Sequence, residues 1–201
     1  MKKFLLILLF LVSFAVSAQL AKGVKILGGN FSICSQNGNG SNSLITNNNF
    51  SIGPSFGYFI NEKYALIGTI NYSNSYYEYT GLKYTLSSFG IGSSLRRYFQ
   101  ISEKFFFALD GYLNFLRVTD KQTTTVSVLQ TTQTPYYNIS VGFQPNFIFF
   151  PSPNLGFSAG LGGLSYGHYQ NLSTASSSNF VGLNLNSTLT FGVSYYFTNK
   201  K

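Results

Sequence analysis

The chain has 201 residues, of which 9% are charged and 18% aromatic, and it carries a formal net charge of +8. An ordinary globular domain carries about 25% charged residues, so this composition argues against a soluble domain. The basic residues are scattered without a Lys/Arg run, which argues against a nucleic-acid partner. A single cysteine excludes an internal disulfide framework.

The N-terminus is predicted to be a cleaved signal peptide. Two lysines precede an apolar run, Phe4–Val16, and small residues end the segment at Val16–Ala18. The run is shorter than the about 20 residues that a membrane-spanning helix needs. Cleavage after Ala18 divides the chain into a signal peptide, residues 1–18, and a mature domain, residues 19–201. The mature domain holds 11 basic and 5 acidic residues, because Lys2 and Lys3 are removed from the 13 basic residues.

After the signal peptide, apolar and polar residues alternate along eight segments that are long enough for strands. The predicted strands are about Lys25–Ser35, Asn49–Ile60, Tyr64–Tyr79, Leu86–Gln100, Phe105–Val118, Tyr136–Phe150, Leu155–Tyr169 and Phe180–Phe197. Short turns are predicted near residues 62, 102 and 152, and long polar loops over about 36–47, 80–84, 120–134 and 171–179. Such alternation of connections is typical of outer-membrane barrels, which have short periplasmic turns and longer extracellular loops.

The last predicted strand shows the alternation most clearly. Along Phe180–Phe197, odd-numbered positions hold mainly Val, Leu, Phe and Tyr, whereas even-numbered positions hold mainly Asn, Thr, Ser and Gly. A strand with lipid on one face and a polar, packed barrel interior on the other needs this division. In the seventh strand the apolar parity changes after Gly162-Gly163, which predicts a bulge. The sequence therefore predicts an all-β fold, a transmembrane antiparallel up-and-down β-barrel of eight strands.

Four short segments carry a resemblance to the small outer-membrane β-barrel family of Gram-negative bacteria: Gly53-Pro54-Ser55, Gln144-Pro145-Asn146, Arg96-Arg97-Tyr98-Phe99 and Phe191–Phe197. The resemblance covers the mature chain and includes the signal peptide. It implies an outer-membrane location, contact with membrane lipid and lipopolysaccharide, and a terminal aromatic that the barrel-assembly machinery recognises. Phe197 holds that position here, with Tyr195 two residues before it on the same face.

Arg96 and Asp110 are charged residues that the alternation directs into the barrel. The turn at 101–104 sets them opposite each other on adjacent strands. A buried charge needs a partner, so an interior ion pair with a structural role is predicted. The alternative is a polar constriction in a conduit. The structural role is favoured, because a barrel of about eight strands is just wide enough for its own side chains.

His168 is a candidate for a functional residue. The segment His168-Tyr169-Gln170-Asn171 is similar to the His-x-Ser-Asn motif of the outer-membrane lipid A deacylase family, which implies acyl hydrolysis. Gln170 occupies the serine position, so the nucleophile would have to be Ser165 or Ser173. The sequence context of the histidine lacks a carboxylate or thiol, and nucleotide-binding motifs are absent, so no metal and no cofactor are predicted.

The leading hypothesis is a monomeric, non-enzymatic outer-membrane barrel with an envelope-structural or surface-interaction role through its outer loops. One alternative is a porin-like conduit for small solutes or hydrophobic compounds, which depends on space left by interior glycines at positions 53, 57, 90, 92 and 142. Others are a lipid A-modifying enzyme centred on His168 and a soluble lipocalin-like carrier, which would need a polar exterior. Tyrosines at 76, 77, 79 and 84 predict an interfacial girdle or, alternatively, a carbohydrate or ligand surface.

Overall fold

The computed structural model describes residues 20–40, 43–79, 82–124, 130–184 and 190–198. The strands within these ranges are β1 (Lys25–Gly40), β2 (Ser43–Phe59), β3 (Tyr64–Tyr79), β4 (Leu82–Gln100), β5 (Phe105–Thr124), β6 (Gln130–Ser152), β7 (Leu155–Gly160), β8 (Gly163–Asn171), β9 (Ser177–Asn184) and β10 (Thr190–Phe197). The predicted signal peptide, residues 1–18, lies outside the described residues. In the described part of the chain, no helix has the length and hydropathy that crossing a membrane requires.

Antiparallel pairing joins these strands into a closed ring. Each strand from β1 to β6 pairs with the next one along the chain. Both β7 and β8 pair with β6 and occupy the seventh place, while β9 pairs with β8 and β10 with β7 in the eighth place. The ring closes where β10 pairs with β1, with Lys25 opposite Phe197. The predicted antiparallel barrel of eight strands is confirmed.

An apolar belt covers the outward face of the barrel. On β5 its outward side chains run from Phe105 to Phe115, a span of 11 residues. That length matches the about 9–11 residues that a tilted strand needs to cross a bilayer. The belt is strongly exposed, with Ile33 at 72% and Val181 at 75% of their full accessible area. Soluble proteins rarely expose apolar patches above a few hundred Å², so the outward face does not fit the lipocalin-like alternative.

The seventh strand is interrupted at Gly162, whose φ of +85° lies in the left-handed region that favours glycine. Before the break Phe157 faces outward, and after it Leu164 does. The register on β6 shifts by one residue across the break, from Asn146 opposite Gly160 to Phe143 opposite Leu164. The predicted bulge is confirmed, and it keeps the apolar residues of this strand on the belt.

Short turns connect the strands at the end of the barrel that carries Lys25 and Phe197, termed here the proximal end. They lie between β2 and β3, between β4 and β5, and between β6 and β7, as predicted. In the first turn the Asn61 side-chain oxygen accepts hydrogen bonds from the backbone amides of Lys63 and Tyr64, both at 2.9 Å. This Asx-type turn explains why so short a connection reverses the chain.

The end of the barrel opposite to the proximal end is termed the distal end. The predicted extent of its long loops is wrong. Strands β1 to β6 continue through most of the residues assigned to the first three loops, and β5 pairs with β6 as far as Thr124 opposite Gln130. The fourth loop shortens to a turn between Asn171 and Ser177. Composition rich in Asn, Gly and Thr indicates a loop, but in a barrel each added residue pairs with neighbouring strands. That pairing outweighs the low intrinsic strand preference.

Candidate functional site

A ring of five aromatic side chains fills the proximal end of the barrel interior: Phe59, Tyr98, Phe106, Phe150 and Tyr196, from β2, β4, β5, β6 and β10. Each is at most 4% exposed. Their ring centroids follow one another around the barrel at 5.0, 6.4, 5.4, 4.8 and 6.2 Å, and the last distance returns from Tyr196 to Phe59. The hydroxyls of Tyr98 and Tyr196 lie 3.3 Å apart across the interior. These five residues are termed the aromatic floor.

The aromatic floor departs from the polar, packed interior that the alternation predicts, because the proximal end of the interior is aromatic and apolar. Its residues come from adjacent aromatic pairs near the proximal ends of their strands: Tyr58-Phe59, Tyr98-Phe99, Phe105-Phe106, Phe149-Phe150 and Tyr195-Tyr196. In each pair one ring joins the outward belt and the other points inward, because successive side chains of a strand alternate in direction. Smaller apolar side chains complete the buried cluster: Val24, Ile26, Ala65, Ile67, Ala108 and Ile148.

A polar chamber of about 320 Å³ lies on the distal side of the aromatic floor. Amide and hydroxyl side chains line most of it: Asn30, Ser55, Thr69, Asn71, Ser94, Tyr112, Asn114, Gln144, Asn146, Ser158 and Ser194. Two charged residues, Arg96 and Asp110, also line it. Such a lining can exchange hydrogen bonds with water or with a small polar molecule.

Arg96 and Asp110 face each other at the level where the chamber meets the aromatic floor. They are direct partners in the β4–β5 register. The Arg96 guanidinium donates from Nε to Asp110 Oδ1 at 2.6 Å and from Nη2 to Oδ2 at 2.7 Å. This two-bonded arrangement is the strongest geometry for the pair. The two side chains are 14% and 10% exposed, and the guanidinium lies 5.9 Å from the centre of the Tyr98 ring.

The interior glycines do not leave open space. A Cβ atom at Gly53 would lie 2.5 Å from Asn30 Oδ1, and one at Gly92 would overlap the Asn114 side chain. At positions 57, 90 and 142 the nearest atoms also lie within 3.0 Å of such a Cβ. Neighbouring groups therefore occupy these gaps, as close packing requires. Reading the glycines as support for a conduit is wrong.

His168 lies on the outward face of β8, two residues beyond Tyr166 of the belt. Its Nδ1 atom is 2.7 Å from Asn179 Oδ1 on β9. Ser165 has the opposite parity and hydrogen-bonds the Gly182 carbonyl, while Ser173 lies in the turn after β8. The structure does not bring either serine to His168. Among the residues that the structure describes, no group of three or more His, Cys, Asp or Glu is placed to hold a metal ion.

Phe197 and Tyr195 lie on the outward face at the proximal end of β10. They are 49% and 46% exposed, and their ring centroids are 4.9 Å apart. Both positions belong to the belt, so their side chains are accessible from the lipid side. Their role as an assembly signal stays a prediction.

The tyrosines near the distal end lie on both the outward and the inward face of the barrel. They therefore do not form a single interfacial girdle. Tyr76 has the outward parity of β3, and its hydroxyl donates to Glu78, which pairs with Lys83 at 3.4 Å. Tyr77 and Tyr84 have the inward parity and are opposite each other. The Tyr84 hydroxyl accepts a hydrogen bond from Gln122 Nε2 at 3.2 Å.

Comparisons with known proteins place this barrel among solved outer-membrane structures. A scan of protein-family models finds no match, and neither does a search of curated proteins. The outer membrane protein OprG from Pseudomonas aeruginosa is similar in structure with a TM-score of 0.50, 12% identity, and coverage of 90% of this chain and 99% of that one.

Two further solved structures show lower structural similarity. The attachment invasion locus protein Ail of Yersinia pestis has a TM-score of 0.49 at 16% identity, with 88% of this chain and 99% of that one covered. Neisserial surface protein A has a TM-score of 0.43 at 17% identity, with 88% and 98% covered. At such low identities, what is shared with OprG is the fold.

Proposed function

We propose, for a chain that is a small β-barrel of the outer membrane, a non-enzymatic and non-conducting role. The barrel would support the envelope or contact other molecules at the cell surface through its distal end. The aromatic floor is the observation that carries this proposal, because a conduit needs a continuous path along the barrel axis. The polar chamber favours a conduit, but the five buried rings occupy the barrel interior on its proximal side, and none of them lines the chamber.

The geometry around His168 supports the non-enzymatic part of the proposal. A hydrolytic serine needs a base within hydrogen-bonding distance, about 2.6–3.2 Å. His168 faces outward with Asn179 as its partner, whereas Ser165 faces inward. Overexpression with unchanged lipid A is the expected result, and His168-dependent loss of an acyl chain would reverse this conclusion.

Planar-bilayer recordings test the non-conducting role. The native barrel, purified in detergent with its folding checked by heat-modifiable migration on gels, is expected to give no channel events. The aromatic floor leaves no wide aqueous path, and small barrels of this kind have packed interiors. Single-channel steps of reproducible size from the native protein would overturn the proposal and favour the conduit.

We also propose the partners that the fold implies. Membrane lipid and lipopolysaccharide would surround the apolar belt, the barrel-assembly machinery would act during biogenesis, and the barrel would work as a monomer. The belt itself supports the lipid contact, since its exposed side chains need an apolar environment. Cross-linking in intact membranes that yields a specific homodimer would contradict the monomer.

The Phe197→Ala variant tests the assembly signal. Its insertion into membranes that contain the assembly machinery is expected to be slower, because the aromatic at the end of β10 is removed. Phe157→Ala is the matched control, since Phe157 is also an outward aromatic near the proximal end, 44% exposed against 49% for Phe197. Equal insertion rates of the two variants would count against a special role for Phe197.

A further inference from the structure

The distal end of the barrel carries an inward row of polar and aromatic side chains across five adjacent strands. Its members, termed the distal row, are direct cross-strand partners in turn: Asn47, Tyr77, Tyr84, Gln122 and Thr132. Parity places all of them on the interior side, opposite to the belt. The distal row therefore lines the mouth of the barrel on the side formed by β2 to β6.

Two tyrosines occupy the middle of the distal row. Tyr77 is 42% exposed, so its ring is open to the mouth. Tyr84 is held by the hydrogen bond from Gln122 Nε2 at 3.2 Å. A ring that is exposed beside a fixed neighbour offers an apolar surface with polar groups at its edge. Tyrosine is favoured in recognition sites for this combination.

Asn47 contributes an acceptor that the protein does not use. Its side-chain oxygen Oδ1 is buried and makes no hydrogen bond. A buried polar atom without a partner costs about 1–3 kcal/mol, so turning the Asn47 amide toward the mouth, where a ligand can donate to Oδ1, would remove an existing penalty. Asn47 is opposite Tyr77, so this acceptor and the exposed ring are adjacent.

The charge around the distal row disfavours an anionic ligand. Asp120 lies in the next inward row, diagonal to Tyr84, and it makes no ion pair within the described ranges. The nearby cations Lys83 and Lys121 have the outward parity of β4 and β5, and Lys83 is paired with Glu78. The mouth thus presents amide, hydroxyl and carboxylate acceptors without an inward cation among the described residues of these two rows.

We propose that the distal row is a binding site for a neutral oligosaccharide. The Tyr77 ring would stack on the apolar face of one sugar ring. Hydroxyls of neighbouring sugar units would donate hydrogen bonds to Asn47 Oδ1, once its amide turns toward the mouth, and to the Asp120 carboxylate. This inference rests on the proposed surface role, for which it names the class of ligand. A free oligosaccharide and the saccharide chain of a surface glycolipid share this chemistry.

The test uses the full folded barrel in detergent and an array of neutral and sulfated oligosaccharides. Binding to neutral members is expected, and Tyr77→Ala should weaken it about tenfold because the stacking surface is lost. Tyr77→Phe keeps the ring and should retain most of the affinity. Tyr76→Ala is the matched control, since Tyr76 is adjacent in sequence but has the outward parity, and its affinity should equal that of the native protein.

Vesicles distinguish the two sources of the saccharide. Binding to vesicles whose lipopolysaccharide carries its outer saccharide chain, but not to vesicles with lipid A alone, would assign the site to a glycolipid. Binding to the array alone would assign it to a free oligosaccharide. No binding in either arm, binding to sulfated members only, or equal losses for Tyr76→Ala and Tyr77→Ala would overturn the proposal. None of these binding measurements tests whether the barrel conducts. Failure of the oligosaccharide proposal therefore leaves the non-conducting role unaffected.

Discussion

Phe150→Ala is expected to lower the free energy of unfolding of the barrel in detergent by about 3–5 kcal/mol, the range for truncating a buried phenylalanine. Phe150 is fully buried, and it contacts both Phe106 and Tyr196 in the aromatic floor. Removing it breaks the ring of contacts at two places and leaves a cavity between them. Equilibrium unfolding in urea, followed by gel migration of the folded form, measures the loss.

Phe149→Ala is the matched control for this experiment. Phe149 is adjacent in sequence but points outward, is 38% exposed, and contacts Phe105 of the belt. We expect it to lose less than half as much, because detergent fills the space of the missing ring. If the two variants lose equal stability, the proximal interior is not a packed core, and the aromatic floor no longer counts against a conduit.

Arg96→Ala is expected to cost about 3–5 kcal/mol of stability, because it leaves the Asp110 carboxylate buried without its partner. In the native barrel the two hydrogen bonds at 2.6 and 2.7 Å compensate for the removal of the Arg96 and Asp110 charges from water. The lower part of the range is expected, since the polar chamber gives Asp110 some hydrogen-bonding groups. The measurement is the same unfolding experiment at neutral pH.

A double-mutant cycle separates the pair from its surroundings. The losses of Arg96→Ala and Asp110→Ala should not add, and the coupling should reach about 1–3 kcal/mol for residues in direct contact. Arg97→Ala is the control, because Arg97 is adjacent but outward, resting on the rings of Tyr64 and Phe99 at 5.5 and 4.6 Å. Additive losses in the cycle would rule out an energetic role for the pairing.

The membrane-facing half of the structure could be predicted from the sequence because lipid strongly favours apolar side chains on the outward face. Outward positions within the bilayer are mainly apolar, so parity alone assigns Phe157 and, after the bulge, Leu164 to the belt. The pairing of Arg96 with Asp110 also follows, since a short turn fixes the register of the hairpin that it connects. Both predictions depend on one local quantity, the alternation of side chains.

The interior and the distal end depend on contacts between strands that are distant in sequence. Phe150 and Tyr196 are 46 residues apart in sequence but contact each other in the barrel. The alternation pattern does not show whether an inward aromatic residue stands alone or joins a ring. The available signal was the repeated pair of adjacent aromatics beside each proximal turn. The distal extensions of the strands were not predicted, because their residues, such as those around Thr124, favour loops on their own. They form strands through pairing with neighbouring strands.

The unequal length of the strands beyond the belt has a consequence for access to the barrel. From the last outward apolar residue, β5 continues nine residues to Thr124, whereas β8 continues five residues from Tyr166 to Asn171. At about 3.4 Å per residue these extensions are about 30 Å and about 17 Å along the strands. The opening is therefore slanted. A molecule that moves parallel to the membrane surface would reach this opening over the low side at β8 and would then face the taller strands β5 and β6.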